Sequence, residues 1–180
     1  MVEARTGDSA MRRWRAGVWG TAALILLAAG IANQSVTGFN WSLGDFLVAG
    51  AMLALACLGW EFAARAMHSN LYRAGAALAV VGSLALVWVN LAVGIIGDPD
   101  NRANLLFFAV LAVGGGLALA GHLRAAGMKR ALIAMAVLQA ILAAAILLAG
   151  LTAAGLFCLV FAGIWAASAY LFRLAASRAA

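Results

Sequence analysis

Charged residues are scarce in this chain. They make up 10% of its 180 residues, while 67% are hydrophobic. A soluble domain of this size carries roughly a quarter charged and about half apolar residues. Too few polar side chains are present to cover a surface that faces water. The composition therefore excludes a soluble globular domain and predicts one compact helical domain with the bilayer as its solvent.

Proline and cysteine are nearly absent. The only proline is Pro99, so the apolar segments contain no proline that would break a helix. The two cysteines, Cys57 and Cys158, fall in the predicted inner and outer halves of their spans. A disulfide needs Cα atoms within about 7 Å. We therefore expect no disulfide, and both thiols to be small buried apolar groups.

Six long apolar runs divide the sequence, and each is close to the roughly 20 residues that a helix needs to cross the hydrocarbon. They predict helices over Gly17–Ala32, Leu43–Arg65, Ala74–Gly97, Asn104–Leu123, Ala131–Gly150 and Thr152–Phe172. The predicted fold is all-α, a polytopic bundle of six transmembrane helices. Its predicted parts are a basic cytoplasmic N-terminal segment (1–16), the transmembrane domain (17–172) and a cytoplasmic C-terminal tail (173–180).

The basic residues lie almost entirely on one side of this pattern. Eleven of the 12 fall in segments that would share one membrane face, and only Arg102 falls on the other. Because basic loops stay in the cytoplasm, both termini are predicted to be cytoplasmic. The net charge of +6 is explained by anchors at anionic headgroups. The basic residues do not form the stripe with interleaved aromatics that is typical of a nucleic-acid-binding surface.

The first span has a second interpretation. Four arginines precede a short apolar core that ends in Gly30-Ile31-Ala32, so this span could be a cleaved signal peptide.

A weak internal repeat is also visible. Arg15, Arg73 and Arg130 each open an inward-to-outward span at spacings of 58 and 57 residues. Three repeated helical hairpins would explain that spacing, and so would chance similarity between helices rich in alanine and leucine.

Polar groups inside a membrane are costly, so each is a functional candidate. Glu61 is followed by Arg65 at i+4, the spacing of an ion pair on one helix face. It is either such an interfacial pair or a carboxylate that exchanges protons or cations at an inner vestibule. Asn90 and Gln139 either hydrogen-bond between helices or contact a substrate. Pairs of small residues, such as Gly75–Ala79 and Gly116–Ala120, let another helix approach closely.

The segment 97–104 collects oxygen-bearing side chains on the predicted outer face. Asp98 and Asp100, with Asp45 nearby, could bind a hard cation. The alternative is a turn followed by a helix capped by Asn104. His68 and His122, at predicted cytoplasmic helix ends, could in principle ligate haem, or they are residues at headgroup level.

Several strings resemble a known family pattern. They are Trp41-Ser42-Leu43-Gly44-Asp45-Phe46, Trp60-Glu61, Leu71-Tyr72-Arg73-Ala74, Trp88-Val89-Asn90-Leu91-Ala92-Val93-Gly94-Ile95-Ile96-Gly97, and Asn101 with Ala103-Asn104-Leu105. Together they resemble a family of small uncharacterised bacterial inner-membrane proteins over roughly residues 41–120. In that family a proline stands where this chain has Arg102. The resemblance implies a multi-pass inner-membrane protein and singles out Asp45, Glu61, Trp88, Asn90 and Asn104. It implies no activity.

No catalytic constellation is present in the sequence. There is no HExxH, no nucleophile elbow and no Cys/His spacing typical of a metal site. We therefore expect no enzyme, no cofactor and no metal. The expected function is a non-enzymatic binding or accessory subunit, or a self-associating protein, of the bacterial inner membrane. Its expected partners are the lipid bilayer and further membrane subunits, and not nucleic acid. The alternative is a small transporter or channel for a proton, cation or small solute that uses Glu61, Asn90 and Gln139.

Overall fold

The structure is a computed structural model that describes the backbone of residues 2–38, 40–66 and 69–178. Side chains are described for residues 13–38, 40–61 and 69–178. The described residues are 85% helical and contain no strand. The predicted all-α class is confirmed.

Six α-helices follow one another along the chain. They are α1 Val2–Ser35, α2 Leu43–Ala66, α3 Asn70–Ala92, α4 Leu105–Ala120, α5 Ala125–Leu148 and α6 Thr152–Ser177, with a 3₁₀ turn at Arg102–Asn104 before α4. Each of the six contains a stretch long and apolar enough to cross a membrane. The chain is thus a multi-pass membrane protein by the length and composition of its helices.

Helix α1 begins 15 residues before the predicted start at Gly17. Residues 2–16 of the predicted basic segment are therefore part of the same helix as the first span. Its sequence contains no proline and is rich in alanine and arginine, both good helix formers. At about 1.5 Å per residue, the 34 residues of α1 extend over about 51 Å. That length exceeds the roughly 30 Å of the hydrocarbon, so one end of α1 projects beyond it.

Helix α3 ends at Ala92, five residues before the predicted Gly97. Gly94 and Gly97 have φ angles of 76° and 73°, in the left-handed region that glycine adopts without strain. A Cβ on Gly94 would lie 2.5 Å from the carbonyl carbon of Asp98. Glycine is thus required for the chain to fold back on itself here, which ends the helix.

The turn between α4 and α5 is tighter than the sequence predicted. Helix α4 ends at Ala120, and α5 begins at Ala125, six residues before the predicted Ala131. Two residues that are not glycine, His122 and Leu123, have φ angles of 51° and 54° in this turn. Such a conformation costs roughly 1–2 kcal/mol per residue.

The chain divides into two compact units, residues 1–62 and 63–180. In the first unit, α1 and α2 form a helical hairpin with few buried side chains, among them Ala22, Ala49 and Cys57. In the second unit, α6 packs along α5 and also against α3, and α4 packs against α5. Helices α3 and α4 touch each other only slightly.

The core of the second unit lies around α6. The large side chains Trp165, Phe172, Leu86 and Phe107 are completely or almost completely buried there. Glycines allow the close approach of α3 to α6, since a Cβ on Gly82 would lie 2.8 Å from the Cγ2 of Ile164. Both cysteines are buried and free, as predicted.

The second and third predicted hairpins differ in packing. Helices α5 and α6 contact each other along their length, whereas α3 and α4 barely do so. Burial differs in the same direction: 28% of the apolar window of α4 is buried, compared with 39% of that of α6. The threefold repeat of hairpins stays a prediction.

Candidate functional site

Glu61 joins the two helices of the first unit at one end of the hairpin. Its Oε1 accepts a hydrogen bond of 2.9 Å from Nε of Arg15 and one of 2.8 Å from Nε1 of Trp19. Arg15 and Trp19 are four residues apart, so they lie on the same face of α1. The side chain of Glu61 is only 11% exposed. The carboxylate thus forms an ion pair with the guanidinium of Arg15 and accepts a hydrogen bond from the indole of Trp19, both on the neighbouring helix.

The predicted partner of Glu61 was Arg65 on its own helix. The side chain of Arg65 lies outside the described residues, so this pair stays a prediction. The contacts from Arg15 and Trp19 were missed because the sequence does not show which face of α1 meets α2. The i, i+4 spacing of an arginine and a tryptophan near the start of the first span was the only available signal.

Asp45 caps helix α2. Its Oδ2 accepts hydrogen bonds from the backbone N–H (2.7 Å) and the hydroxyl (2.8 Å) of Ser42. In return the backbone N–H of Asp45 donates to Oγ of Ser42 across 3.2 Å. Trp41 and Phe46 meet edge to face with their ring centroids 5.1 Å apart. This reciprocal arrangement is a capping box with a hydrophobic staple, so the Trp-Ser-x-x-Asp-Phe string has a local structural role.

Asn104 organises the connection between α3 and α4. Its Oδ1 accepts hydrogen bonds from the backbone N–H groups of Ile95 (3.2 Å) and Ile96 (2.9 Å). Its Nδ2 donates to the carbonyl oxygen of Asp98 across 2.8 Å. Asn104 occupies the N-cap position of α4, as predicted, but its side chain makes no capping bond to that helix. The cap of the 3₁₀ turn is Asn101, which accepts from the N–H of Ala103.

Asn90 lies beside this connection. Its Nδ2 donates to the carbonyl oxygen of Asn104 across 3.0 Å, while its buried Oδ1 has no hydrogen-bond partner among the described residues. The amide thus links the end of α3 to the start of α4, which is the packing role predicted for it. The fold thus brings Asn90 and Asn104 together.

Asp98 and Asp100 are exposed in the same connection. Oδ1 of Asp98 accepts from the backbone N–H of Asp100 across 3.0 Å, which makes a local turn. No group of three or more acidic, histidine or cysteine side chains that could hold a metal ion occurs in the described part of the chain. Asp45 belongs to the other unit, where it caps α2. The described geometry favours the turn, and the cation site stays a prediction.

Gln139 is fully buried near the middle of α5. Neither Oε1 nor Nε2 meets a hydrogen-bond partner among the described residues. The Cys158 thiol of α6 lies beside this amide, at a geometry that falls short of a hydrogen bond for either amide atom. The bond between helices that was predicted for Gln139 stays a prediction. An unpartnered buried amide costs roughly 1–3 kcal/mol.

Trp88 and the two histidines are the remaining candidates from the sequence. Trp88 is 42% exposed on α3. His122 is exposed in the turn between α4 and α5, and His68 lies outside the described residues. The haem interpretation stays a prediction without support from His122.

A row of small residues runs along the exposed side of α4. Its members, Ala109, Ala112, Gly116 and Ala120, recur every three or four residues and are all exposed. We call these four residues the small-residue face of α4. A Cβ on Gly116 would meet nothing within 4 Å. On the opposite side, a Cβ on Gly114 would collide with Met135 of α5. Within the glycine run 114–116, Gly114 thus allows α4 to pack against α5, whereas Gly116 lies on the exposed face of α4.

Comparison with known proteins adds no relative. No family model, no curated protein and no solved structure matches this chain.

Proposed function

We propose that this protein is a non-enzymatic membrane subunit that acts by binding, either to further copies of itself or to a larger membrane complex. The small-residue face of α4 is its proposed contact surface. The observation that carries the proposal is the open space above Gly116, on a helix whose other side is already packed.

Gly116 weakens its own helix without relieving a collision inside the chain. A glycine in a helix interior destabilises by roughly 0.5–1 kcal/mol relative to alanine. Gly114 is needed because Met135 occupies the space of its Cβ, but Gly116 relieves no such collision within the chain. In lipid, helices associate through small residues spaced four apart, which allow backbones to approach closely. A second helix packed closely on this face would account for a glycine at position 116.

The proposed location is the bacterial inner membrane, with both termini in the cytoplasm. An even number of spans places the termini on the same side, and 11 of the 12 basic residues would share that side. Cysteine labelling in intact cells tests the orientation. A cysteine at Asp98→Cys should react with an impermeant reagent from outside, and one at Arg124→Cys should react only after lysis. The reverse pattern would overturn the orientation.

Association is tested by purification in mild detergent. Wild type is compared with Gly116→Ile, which fills the small-residue face of α4. The control is Gly163→Ile on α6, since Gly163 is also exposed with nothing within 4 Å of its Cβ. We expect the wild type and the control to elute in the same complex, and Gly116→Ile to elute as a monomer. A monomeric wild type without partners, or an unaffected Gly116→Ile complex, contradicts the proposal.

A second candidate, a small transporter, is favoured by one observation. The buried amide of Gln139 lacks a hydrogen-bond partner among the described residues, and such a group could contact a polar solute. Flux in proteoliposomes, measured for wild type, Glu61→Gln and Gln139→Leu, tests this candidate. Transport through the bundle predicts flux in wild type that Gln139→Leu abolishes. If the wild type shows no flux with any of the coupling ions tested, the transporter candidate is eliminated.

A further inference from the structure

The end of the first unit that holds Glu61 also presents a dense basic and aromatic surface. Helix α1 carries arginines at positions 12, 13 and 15, with Trp14 between them. Arg13 is exposed, Arg15 is 49% exposed and Trp14 is 67% exposed. We call Arg13, Trp14, Arg15 and Trp19 the Arg–Trp cluster.

The cluster lies where the first span meets the membrane boundary. No charged residue follows Arg15 in α1 up to its end at Ser35, a run of about 30 Å of helix. This length is close to the roughly 30 Å of the hydrocarbon. On α2, Glu61 is the first charged residue after Asp45. Because Arg15 and Glu61 end the uncharged runs of the two helices and pair with each other, we place them at headgroup level, where lipid phosphates are found.

Glu61 fixes the orientation of Arg15 without using all of its donors. A guanidinium has five N–H donors in a rigid planar fork, and the bond from Nε engages one of them. Trp19 donates to the same carboxylate oxygen and holds it in place. The two arginines of the cluster against one carboxylate leave a formal charge of +1 among these described side chains. A pre-oriented guanidinium beside exposed indoles is suited to bind a phosphate with two parallel hydrogen bonds.

We propose that the Arg–Trp cluster binds the headgroup phosphate of an anionic phospholipid, with Arg15 as the phosphate ligand and Glu61 as a positioning residue. Trp14 and Trp19 pack against the glycerol and the upper acyl chain, because indoles prefer this depth of the bilayer. The site goes beyond the proposed association through α4, since it lies in the other unit and requires no second protein.

Native mass spectrometry of the full chain tests the site. The protein is released from micelles that contain phosphatidylglycerol or phosphatidylcholine, and the lipid retained on it is counted. We expect wild type to retain phosphatidylglycerol in preference. Arg15→Gln should reduce that preference by about fivefold, the effect expected of one basic residue at the membrane surface.

Two further variants separate a built site from a diffuse positive field. Arg15→Lys keeps the charge and can still pair with Glu61, but it loses the planar fork. A built site predicts that this variant also loses most of the preference. Arg124→Gln is the matched control, because Arg124 is an exposed arginine in the other unit and its loss changes the net charge equally. It should retain the wild-type preference.

Four results would overturn the proposal. The first is equal retention of the two lipids by wild type. The second is full retention of the preference in Arg15→Lys, and the third is an equal loss in Arg124→Gln; either would indicate a diffuse field. The fourth is displacement of the lipid by an excess of inorganic phosphate, which would indicate a site for soluble anions. A monomeric wild type with intact lipid preference would refute the association through α4 and leave this proposal standing.

Discussion

Nδ2 of Asn90 donates a hydrogen bond of 3.0 Å to the carbonyl oxygen of Asn104, which follows it by 14 residues in the sequence. The side chain of Asn104 in turn holds the backbone of the connection between them. The two asparagines together convert a polar connection into a fixed link between α3 and α4, two helices that otherwise touch each other little.

Loss of the Asn104 side chain should destabilise the protein more than loss of any other residue in this connection. Asn104→Leu removes the partner of two N–H groups and one carbonyl. We expect a loss of about 2–3 kcal/mol in the free energy of unfolding, measured by denaturant titration in detergent. Asn101→Ala removes one exposed bond and should cost less than about 1 kcal/mol. Equal losses in both variants would argue against a central role for Asn104.

Closely packed glycines should not tolerate a methyl group. A Cβ on Gly127 would lie 2.7 Å from Cα of Gly121. Cα of Gly121 is a backbone atom, and the backbone also fixes the position of a Cβ, so no rotamer change can relieve the contact. Gly127→Ala should therefore destabilise by about 1–3 kcal/mol, seen as a lower unfolding midpoint in detergent.

The matched control for that variant is Gly116→Ala, since nothing lies within 4 Å of its Cβ. It should leave the monomer unchanged or stabilise it by up to about 1 kcal/mol through better helix propensity. A destabilised Gly116→Ala monomer would show that the space above Gly116 is filled by the chain itself.

Replacement of the buried amide at Gln139 should raise stability. Gln139→Leu has similar volume and removes two polar atoms that have no partner among the described residues. We expect the unfolding midpoint to rise, by an amount that corresponds to about 1 kcal/mol or more. Gln139→Glu should lower it sharply, because a charge replaces the amide in the same buried place. A lower midpoint for Gln139→Leu would show that the amide makes a bond important for folding.

The turn between α4 and α5 should be improved by glycine. His122 is exposed with a φ angle of 51°, a conformation that glycine adopts without a Cβ penalty. His122→Gly should raise the free energy of unfolding by about 0.5–1 kcal/mol. Ala126→Gly, in the first turn of α5, should lower it by up to about 1 kcal/mol. A loss of stability in His122→Gly would indicate that the imidazole makes contacts that outweigh the strain.

Tyr72 holds the same turn from α3. Its hydroxyl donates a hydrogen bond of 2.6 Å to the carbonyl oxygen of Leu123, and its ring meets Phe172 edge to face. The bond explains how two residues remain in left-handed conformations. The sequence did not predict this hydrogen bond, because Tyr72 and Leu123 are 51 positions apart.

The positions of the helices could be predicted from the sequence. One local feature that was not predicted, the capping box of α2, also has a recognisable sequence pattern. The six spans follow from apolar runs, since a helix in lipid must satisfy its own backbone. The spacing of Ser42 and Asp45 is that of a capping box, and it was a usable signal for the start of α2. Helix α3 ends early because the backbone of Asp98 packs against Gly94. A continuous run of hydrophobic residues in the sequence does not show this contact.

The sequence by itself determined that this is an all-helical, multi-pass membrane protein, because composition and run length decide which solvent a segment can face. Only the tertiary structure decided that Glu61 meets Arg15 and Trp19, and that Asn104 holds a connection where a helix cap was expected. It alone showed that Gln139 is buried without a partner among the described residues. These contacts join residues far apart in the chain. In an apolar helix every face is hydrophobic, so amphipathic periodicity cannot indicate which face meets a neighbour.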